Sequence, residues 1–269
     1  MNEYLSIKMD CLAYYHKIDY KPEPDKFSKH CHNMYEVIYI KEGSGFFHVE
    51  GMRYKINNNT LLIFKPLEFH YVEIIASTSY ERYVINFEES AIFENHDELL
   101  EIFKKRNLGS NNIMWDEDKS LEALFMRFDH NLSLNDLEKN TMTKLLLNEL
   151  LILLRNKYSL KLYNLSGEKL IVRIINYIND NLTSQIKLEQ LSERFFISKY
   201  HLQHMFKKHT GIPIMEYIIR KRILKAQQLI EEGLKTSKAA SICGFNDYSS
   251  FYRAYVKHTG TKPSDKINK

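Results

Sequence analysis

The spacing of apolar residues changes near residue 91, and this change constrains the fold more than any other feature of the sequence. Before it, turn sequences at 42–45 and 57–59 separate short segments rich in Val, Ile, Tyr and Phe, which are typical of β-strands. These segments are 35–40, 45–51, 61–64, 70–75 and 82–87. After it, apolar residues recur at helical spacing. We therefore expect an α+β chain, in which an antiparallel sandwich or small barrel precedes a set of helices.

The longest helical pattern covers residues 134–158, and Ser133 is a candidate N-cap for it or for its neighbour. A helix with this many leucines must bury an apolar stripe, either against its own sheet or in a homodimer. The helical spacing stops at 159–167, where we place the domain boundary. The prediction is a first domain of residues 1–160 and a second of residues 168–269.

Charge is divided unevenly along the chain. Residues 168–269 contain 18 Lys and Arg and 9 Asp and Glu, a net charge of +9, whereas residues 1–167 carry −5. A basic domain predicts a polyanionic partner such as double-stranded DNA. The first eight residues have charges where a signal peptide is apolar, and the most apolar segment, 145–154, is too short to cross a bilayer. We expect a cytoplasmic protein with reduced cysteines and no membrane partner.

Residues 187–211 have the pattern of a helix-turn-helix unit. Leu191 belongs to the apolar stripe of a short helix, Ser198 is a candidate N-cap, and Leu202, Met205 and Phe206 are expected to face inward. Glutamine bonds to adenine, and lysine neutralises phosphate. We therefore predict DNA contacts by the outward residues Tyr200, His201, Gln203, His204, Lys207 and Lys208.

A second helix-turn-helix pattern covers residues 236–264. Gly244 permits the turn, Asn246 or Asp247 is a candidate cap, and Phe251 and Tyr255 are expected to point inward. The outward residues are Tyr248, Ser249, Tyr252 and Arg253, and arginine is the commonest specific reader of guanine.

The C-terminal segment resembles the AraC/XylS family of bacterial transcription regulators over about residues 168–265. The resemblance lies in LSERFFISKYHLQHMFKKHTG (191–211), YIIRKRILKAQQLI (217–230) and the pattern GF.D.S.F.R...K.TG..PS in 244–264. It implies that two recognition helices enter successive major grooves about 34 Å apart, held by a linker helix at about 214–230. It also implies phosphate contacts by Lys199, Lys207 and Lys257, and base contacts by Tyr200, Gln203, His204, Tyr248, Ser249, Tyr252 and Arg253.

The sequence departs from the family pattern at several positions. Phe196 stands in the first turn where the family often has glycine, so we expect a different turn geometry or strain. Thr236 and Ala239 replace larger aliphatic residues, and Val256 and Lys266 replace a usual lysine and a usual aromatic. We therefore expect the first unit to supply more of the base readout than the second.

The segment HCHNMYEVIYIKEGSG (30–45) resembles the first cupin motif. With His70, the residues His30, His32 and Glu36 would supply three nitrogens and a carboxylate, which suit Zn, Fe or Mn. The second motif is incomplete, because Glu68 stands where glycine is common. The family resemblance implies instead a barrel that binds a small effector without metal, for which the candidate lining residues are His32, Tyr35, Glu36, His48 and His70.

Together these patterns predict a transcription regulator with a cupin-like antiparallel β-barrel, helices after it, and an all-α domain with two helix-turn-helix units. The expected partners are double-stranded DNA, a small polar effector such as a sugar, RNA polymerase, and a second copy bound through helix 134–158. We expect no cofactor and no enzymatic activity. Two alternatives stay open: a metal-dependent cupin enzyme with an accessory helical domain, and a regulator with a vestigial barrel that works through a protein partner.

Overall fold

The structure is a computed structural model that describes residues 3–23, 27, 29–75, 79–93, 96–110, 112–159 and 170–266. The chain divides into two compact units: residues 1–30, 34–49 and 53–166 form the first, and residues 31–33, 50–52 and 167–269 form the second. The predicted boundary at 159–167 lies, apart from Ser159, outside the described residues and stays a prediction. Within the described ranges, every helix is too short or too polar to cross a membrane.

The strands of the first unit form two sheets. A six-stranded sheet has the order β1-β2-β8-β3-β6-β9, and a three-stranded sheet has the order β5-β4-β7. The predicted antiparallel fold is confirmed, but the strands form two sheets instead of one closed barrel. The strands are β1 Glu3–Lys8, β2 Leu12–Asp19, β3 Tyr35–Glu42, β4 Gly45–Val49, β5 Met52–Ile56, β6 Thr60–Phe64, β7 His70–Ile74, β8 Tyr80–Phe87 and β9 Ile113–Trp115.

The central strands of the six-stranded sheet, β3, β6 and β8, are buried on both faces. Val37 and Tyr39 of β3 pack into the cluster formed with the helices of this unit, whereas Ile38 and Ile40 pack into the cluster formed with the three-stranded sheet. Successive side chains of a strand point to opposite faces, so a strand buried on both faces is apolar throughout. This explains why 61–64 is a continuous apolar run.

Among the described residues of the first unit, four α-helices cover one face of the six-stranded sheet. In the longest of them, Leu146, Leu150 and Leu154 pack into the cluster behind that sheet. Its N-terminus is capped by Asn135, whose side-chain oxygen accepts the Glu138 N–H at 3.0 Å. The predicted cap at Ser133 is wrong, because that hydroxyl donates to a backbone carbonyl instead. The helices are α1 His96–Leu99, α2 Glu101–Lys104, α3 Ser120–His130 and α4 Asp136–Ser159.

A second apolar stripe of α4 remains uncovered. Leu137, Leu145 and Ile152 recur at spacings of eight and seven residues, and they are 79%, 45% and 49% exposed. The first alternative for this helix, packing against its own sheet, therefore accounts for one side of α4, and the side with Leu137, Leu145 and Ile152 is exposed.

The second unit is helical over its described residues 170–266, apart from the turns between its elements. Gly211 ends the helix Lys199–Thr210 and Gly260 ends the helix Tyr248–Thr259, both in the left-handed conformation, with φ of 79° and 73°. The helices are α5 Leu170–Asp180, α6 Leu188–Arg194, α7 Lys199–Thr210, α8 Ile214–Glu231, α9 Thr236–Ile242 and α10 Tyr248–Thr259.

Candidate nucleic-acid interface

The first helix-turn-helix unit consists of α6 and α7. Leu191, Leu202 and Phe206 are fully buried between these helices and their neighbours. The Ser198 hydroxyl accepts the His201 N–H at 3.2 Å, so the predicted cap is confirmed. This cap fixes the start of α7 and therefore fixes which residues lie on its outer face.

The second helix-turn-helix unit consists of α9 and α10, and the linker helix α8 completes its core. Small residues of α9, including Ala239 and Ala240, pack in one cluster with Ile223 of α8 and with Phe251 and Tyr255 of α10. The core of this unit thus consists of small residues on α9 against large ones on its neighbours.

Asp247 is the cap of α10, and Asn246 is not. The Asp247 carboxylate accepts the Ser250 N–H at 2.7 Å, and this bond holds the pKa of Asp247 below its usual value. Asn246 instead accepts a hydrogen bond from the side chain of Gln185, in the loop before α6.

Each recognition helix carries its candidate readers in rows along its outer face. On α7 the rings of Tyr200 and His204 stack with their centroids 6.3 Å apart, one helical turn from each other. On α10 the rings of Tyr248 and Tyr252 lie 6.4 Å apart. All twelve predicted DNA contacts are exposed: Lys199, Tyr200, His201, Gln203, His204, Lys207, Lys208, Tyr248, Ser249, Tyr252, Arg253 and Lys257. Their contact with DNA stays a prediction.

Counting from the caps Ser198 and Asp247 aligns the two recognition helices. Gln203 then corresponds to Tyr252, and His204 corresponds to Arg253. The two units therefore present different chemistry at equivalent positions, so they are suited to different base sequences.

Lys199 is held by Glu189, the second residue of α6, in an exposed ion pair. Exposed ion pairs are weak, because water and salt screen them. The lysine is thus positioned at the start of α7 and can exchange the carboxylate for a phosphate.

One arginine of the linker helix joins the two units. The Arg222 guanidinium donates to the carbonyl oxygens of Leu182 at 2.9 Å and Ser184 at 2.6 Å, both in the loop between α5 and α6. It also donates to the Gly244 carbonyl in the turn of the second unit, at 2.8 Å. The planar, forked guanidinium binds several acceptors in fixed directions. Arg222 therefore fixes the position of the second turn relative to the first unit.

The predicted effector residues do not converge on one pocket. His70 and Glu36 are buried, with His70 Nε2 3.0 Å from Glu36 Oε2. Tyr35 packs in the cluster with the helices, on the other face of β3, and donates to Glu89 at 2.9 Å. His48 stacks on the ring of Tyr71, and its Nε2 lies 3.1 Å from the half-exposed carboxylate of Glu73.

Two residues of the alternative metal site lie side by side. The ring centroids of His30 and His70 are 4.5 Å apart, and His70 Nε2 lies 3.0 Å from Glu36 Oε2. Imidazoles and a carboxylate are donors that Zn or Fe accepts. His32 belongs to the other compact unit. The metal site stays an open alternative to the predicted metal-free barrel, and no step of the proposed function passes through it.

A polar cavity of about 270 Å³ opens elsewhere in the N-terminal compact unit, the one that contains the two sheets. Its lining mixes both signs of charge with two amides: Lys41, Glu42, Asn58, Asn59, Glu81, Lys119 and Glu122. None of the five predicted effector residues lines it. Its walls come from four separate segments, so no local motif could have identified it.

A histidine connects this cavity to α3. Burial disfavours the charged form of His16, but hydrogen bonds and charges of Asp129 and Glu81 outweigh it, so the pKa of His16 is raised. The His16 Nδ1 lies 2.8 Å from Asp129 Oδ2 on α3, and its Nε2 lies 2.9 Å from Glu81 Oε1 on β8. The cavity residue Lys41 donates to the same Glu81 oxygen at 2.9 Å.

Two family descriptions match this chain. The AraC-like ligand binding domain matches residues 18–154, more than half of the chain, and a helix-turn-helix domain matches residues 191–268. The chain belongs to the AraC family of transcription regulators. Members combine a ligand-binding N-terminal domain with a DNA-binding helix-turn-helix domain, which is the arrangement predicted from the sequence.

Similar AraC-family proteins match the chain over most of its length. The HTH-type transcriptional regulator YbfI of Bacillus subtilis is 27% identical, over 92% of this chain and 90% of that protein. The transcriptional activator RhaS of Escherichia coli is 21% identical, over 91% and 88%. Among solved structures, ToxT of Vibrio cholerae has a TM-score of 0.41 and 15% identity, covering 97% of this chain and 98% of that one.

Sequence reasoning missed two features of this AraC-family chain that bear on function. The cavity residues carry no shared signal. Arg222 lies within the motif YIIRKRILKAQQLI, and an arginine at a half-buried helix position is a signal for a specific hydrogen-bonding role.

We predict that Arg222→Lys weakens reading of a two-half-site duplex more than reading of a single half-site. A lysine cannot reach three carbonyls in different directions, so the second turn loses its fixed position. The loss of charge-assisted hydrogen bonds should also lower the free energy of unfolding by about 1–3 kcal/mol. The measurement is affinity for a duplex selected by the wild-type chain and for the same duplex with one half scrambled.

The control is Arg173→Lys, at an exposed position of α5. It should keep the wild-type ratio between the two affinities. An unchanged ratio in Arg222→Lys would show that the units keep their spacing without this guanidinium.

Proposed function

We propose that this chain regulates transcription in the cytoplasm by reading two successive major grooves, with α7 in one and α10 in the other. The observation that carries the proposal is the pair of capped helices whose predicted contacts are all exposed, joined by Arg222. Their basic unit supplies the phosphate attraction, and their tyrosine, glutamine, histidine and arginine side chains suit base edges.

Gln203→Ala and Arg253→Ala test which unit contributes more to sequence readout. On a duplex selected from a random library by the wild-type chain, each should cost about 1–3 kcal/mol of specific binding. We expect the larger loss from Gln203→Ala, because the first unit keeps more of the family pattern. Wild-type affinity should fall linearly with log salt concentration, and Lys207→Ala should reduce that slope by about 1.

Equal affinity of the wild-type chain for all duplexes at physiological salt would refute sequence-specific regulation. RNA polymerase is the further partner that we propose, supported by the relative RhaS, which is named an activator. Its involvement is measured as a change in transcription from the selected duplex when the chain is added.

We further propose that the effector binds in the polar cavity lined by Lys41 and Glu81. Glu36 and His70 are paired with each other inside an apolar cluster, whereas the cavity is open and lined by charged and amide groups. Such a lining suits a small molecule with many hydroxyl groups, and a sugar belongs to that class.

A panel of neutral monosaccharides should include a compound that raises the melting temperature of the wild-type chain by a few degrees. Lys41→Met should abolish this shift, because it removes one of the two lysines of the cavity wall and breaks the ion pair with Glu81. Tyr35→Phe is the matched control and should keep the shift, since Tyr35 does not line the cavity and its hydroxyl donates to Glu89 instead. Loss in Tyr35→Phe with retention in Lys41→Met would place the effector among the residues first predicted.

The uncovered stripe of α4 supports a homodimer. Leu137, Leu145 and Ile152 present apolar side chains along one side of the helix, and a second copy offers the same stripe. We expect the wild-type chain to sediment as a dimer and Leu145→Glu to sediment as a monomer, because a charge would be buried in the interface. Asn140→Glu, an exposed change on the same helix, should remain dimeric. A dimeric Leu145→Glu chain would contradict this interface.

A further inference from the structure

The turn between α6 and α7 forces a bulky residue into the left-handed conformation. Phe196 has φ of +54°. Its N–H donates to the Glu193 carbonyl at 3.3 Å, and the next N–H, of Ile197, donates to the Ser192 carbonyl at 3.1 Å. These two bonds define a Schellman turn, in which the left-handed position is usually glycine because a side chain crowds the backbone there.

The same turn ends two other helices of the C-terminal helical unit, α8 and α9, and both have glycine at the equivalent position. Gly233 follows α8 with φ of +94°, and Gly244 follows α9 with φ of +80°. In each turn the N–H of the glycine and the N–H of the residue after it donate the same pair of hydrogen bonds. The chain therefore uses glycine for this turn elsewhere, and Phe196 is a departure from its own pattern.

The fold gains no packing from the phenyl ring of Phe196. The residue is 94% exposed, the highest value among the exposed large apolar residues of the described chain. The turn is already held by its backbone bonds and by the Ser192 hydroxyl, which donates to the Ile197 carbonyl at 2.5 Å. A strained backbone and an exposed ring both lower stability, so the benefit of this residue must lie outside the folded chain.

The position of Phe196 indicates what the ring contacts. It lies two residues before Ser198, the cap of α7, and Tyr200, in the first turn of α7, is 80% exposed. The second most exposed large apolar side chain thus belongs to the same short segment. In a helix-turn-helix unit the N-terminal end of the recognition helix is the part that reaches into the groove. The ring is therefore continuous with the proposed DNA-binding surface.

We propose that Phe196 is a DNA-contacting residue that packs against apolar surface at the edge of the groove read by α7. DNA offers two such surfaces there, the deoxyribose rings and the thymine methyl groups, and phenylalanine is suited to either. The proposal rests on the DNA-reading function described above. It adds a contact that involves no charge and no base-edge hydrogen bond.

The test compares the full-length wild-type chain with Phe196→Gly and Phe196→Asn on a duplex that the wild-type chain selects from a random library. Glycine and asparagine tolerate the left-handed conformation, so both variants should melt at the wild-type temperature or a few degrees above it. Both should bind the duplex about tenfold more weakly, which corresponds to about 1.4 kcal/mol. The salt dependence of binding should not change, because no charge is lost.

Two matched variants separate the ring from other effects. Phe196→Tyr keeps the ring and should bind within about twofold of wild type. Met215→Ala removes another partly exposed apolar residue of the same unit and should bind like wild type. A duplex with deoxyuridine in place of thymidine distinguishes the two surfaces: wild-type affinity falls towards that of Phe196→Gly if the ring contacts methyl groups, and is retained if it contacts sugars.

Phe196→Gly binding as tightly as wild type would overturn the proposal. If that variant also failed to alter transcription by RNA polymerase as the wild-type chain does, the ring would be assigned to a protein contact instead. A wild-type chain without sequence preference would refute the DNA-reading function itself, and this result is seen before any variant is compared.

Discussion

The bonds of Arg222 to three backbone carbonyls are the constraint on which the DNA-binding unit depends. Two recognition helices read one DNA molecule together only if their separation matches the repeat of the groove, about 34 Å. A helical linker sets a distance, but it leaves the second unit free to rotate unless a further contact holds it. Arg222 supplies that contact, because its acceptors lie on both sides of the linker helix α8.

The same constraint explains why the two turns differ in what they tolerate. A Cβ at Gly244 would lie 2.9 Å from the Arg222 guanidinium carbon and 2.9 Å from the Thr183 carbonyl oxygen, so the second turn has no space for a side chain. The turn at Phe196 faces solvent and makes no comparable contact. At Gly244, glycine is thus required for two reasons, the left-handed backbone and the lack of space for a side chain. At Phe196 only the left-handed backbone disfavours a larger residue.

Features set by local physics could be predicted from the sequence. The cap at Ser198, the buried Leu202 and Phe206, and the helix end at Gly211 all depend on residues within a few positions of each other. The role of Arg222 could not be predicted, since two of its acceptors are carbonyls about forty positions away, and every residue type has a carbonyl. The N-terminal hairpin of β1 and β2 was missed although its strand-like residues were visible.

The candidate effector site likewise combines features that the sequence predicts with features that it does not. Tyr35 and Glu36 are neighbours in a strand, and alternation alone separates them onto opposite faces, so grouping them was avoidable. Glu68, which stands where the cupin motif commonly has glycine, is buried and accepts hydrogen bonds from Arg106 and from the Gly109 N–H. No sequence pattern near Glu68 predicts a hydrogen-bond partner about forty residues later, so only the folded structure shows that Glu68 binds Arg106 and Gly109.

The shared oxygen of Glu81 offers a physical route from the proposed effector cavity to α4. Glu81 Oε1 bonds both Lys41, which lines the cavity, and His16, whose other nitrogen bonds Asp129 on α3. A ligand that drew Lys41 away would leave this oxygen to His16 alone and would strengthen the pairing of α3 with the sheet. Helix α3 is joined to α4 by Arg127, which binds Glu149 through both carboxylate oxygens at 2.7 and 2.8 Å. Effector binding in the cavity would thus change the contacts of α4, the helix with the exposed apolar stripe. Effector binding and dimerisation would then be coupled within the N-terminal compact unit.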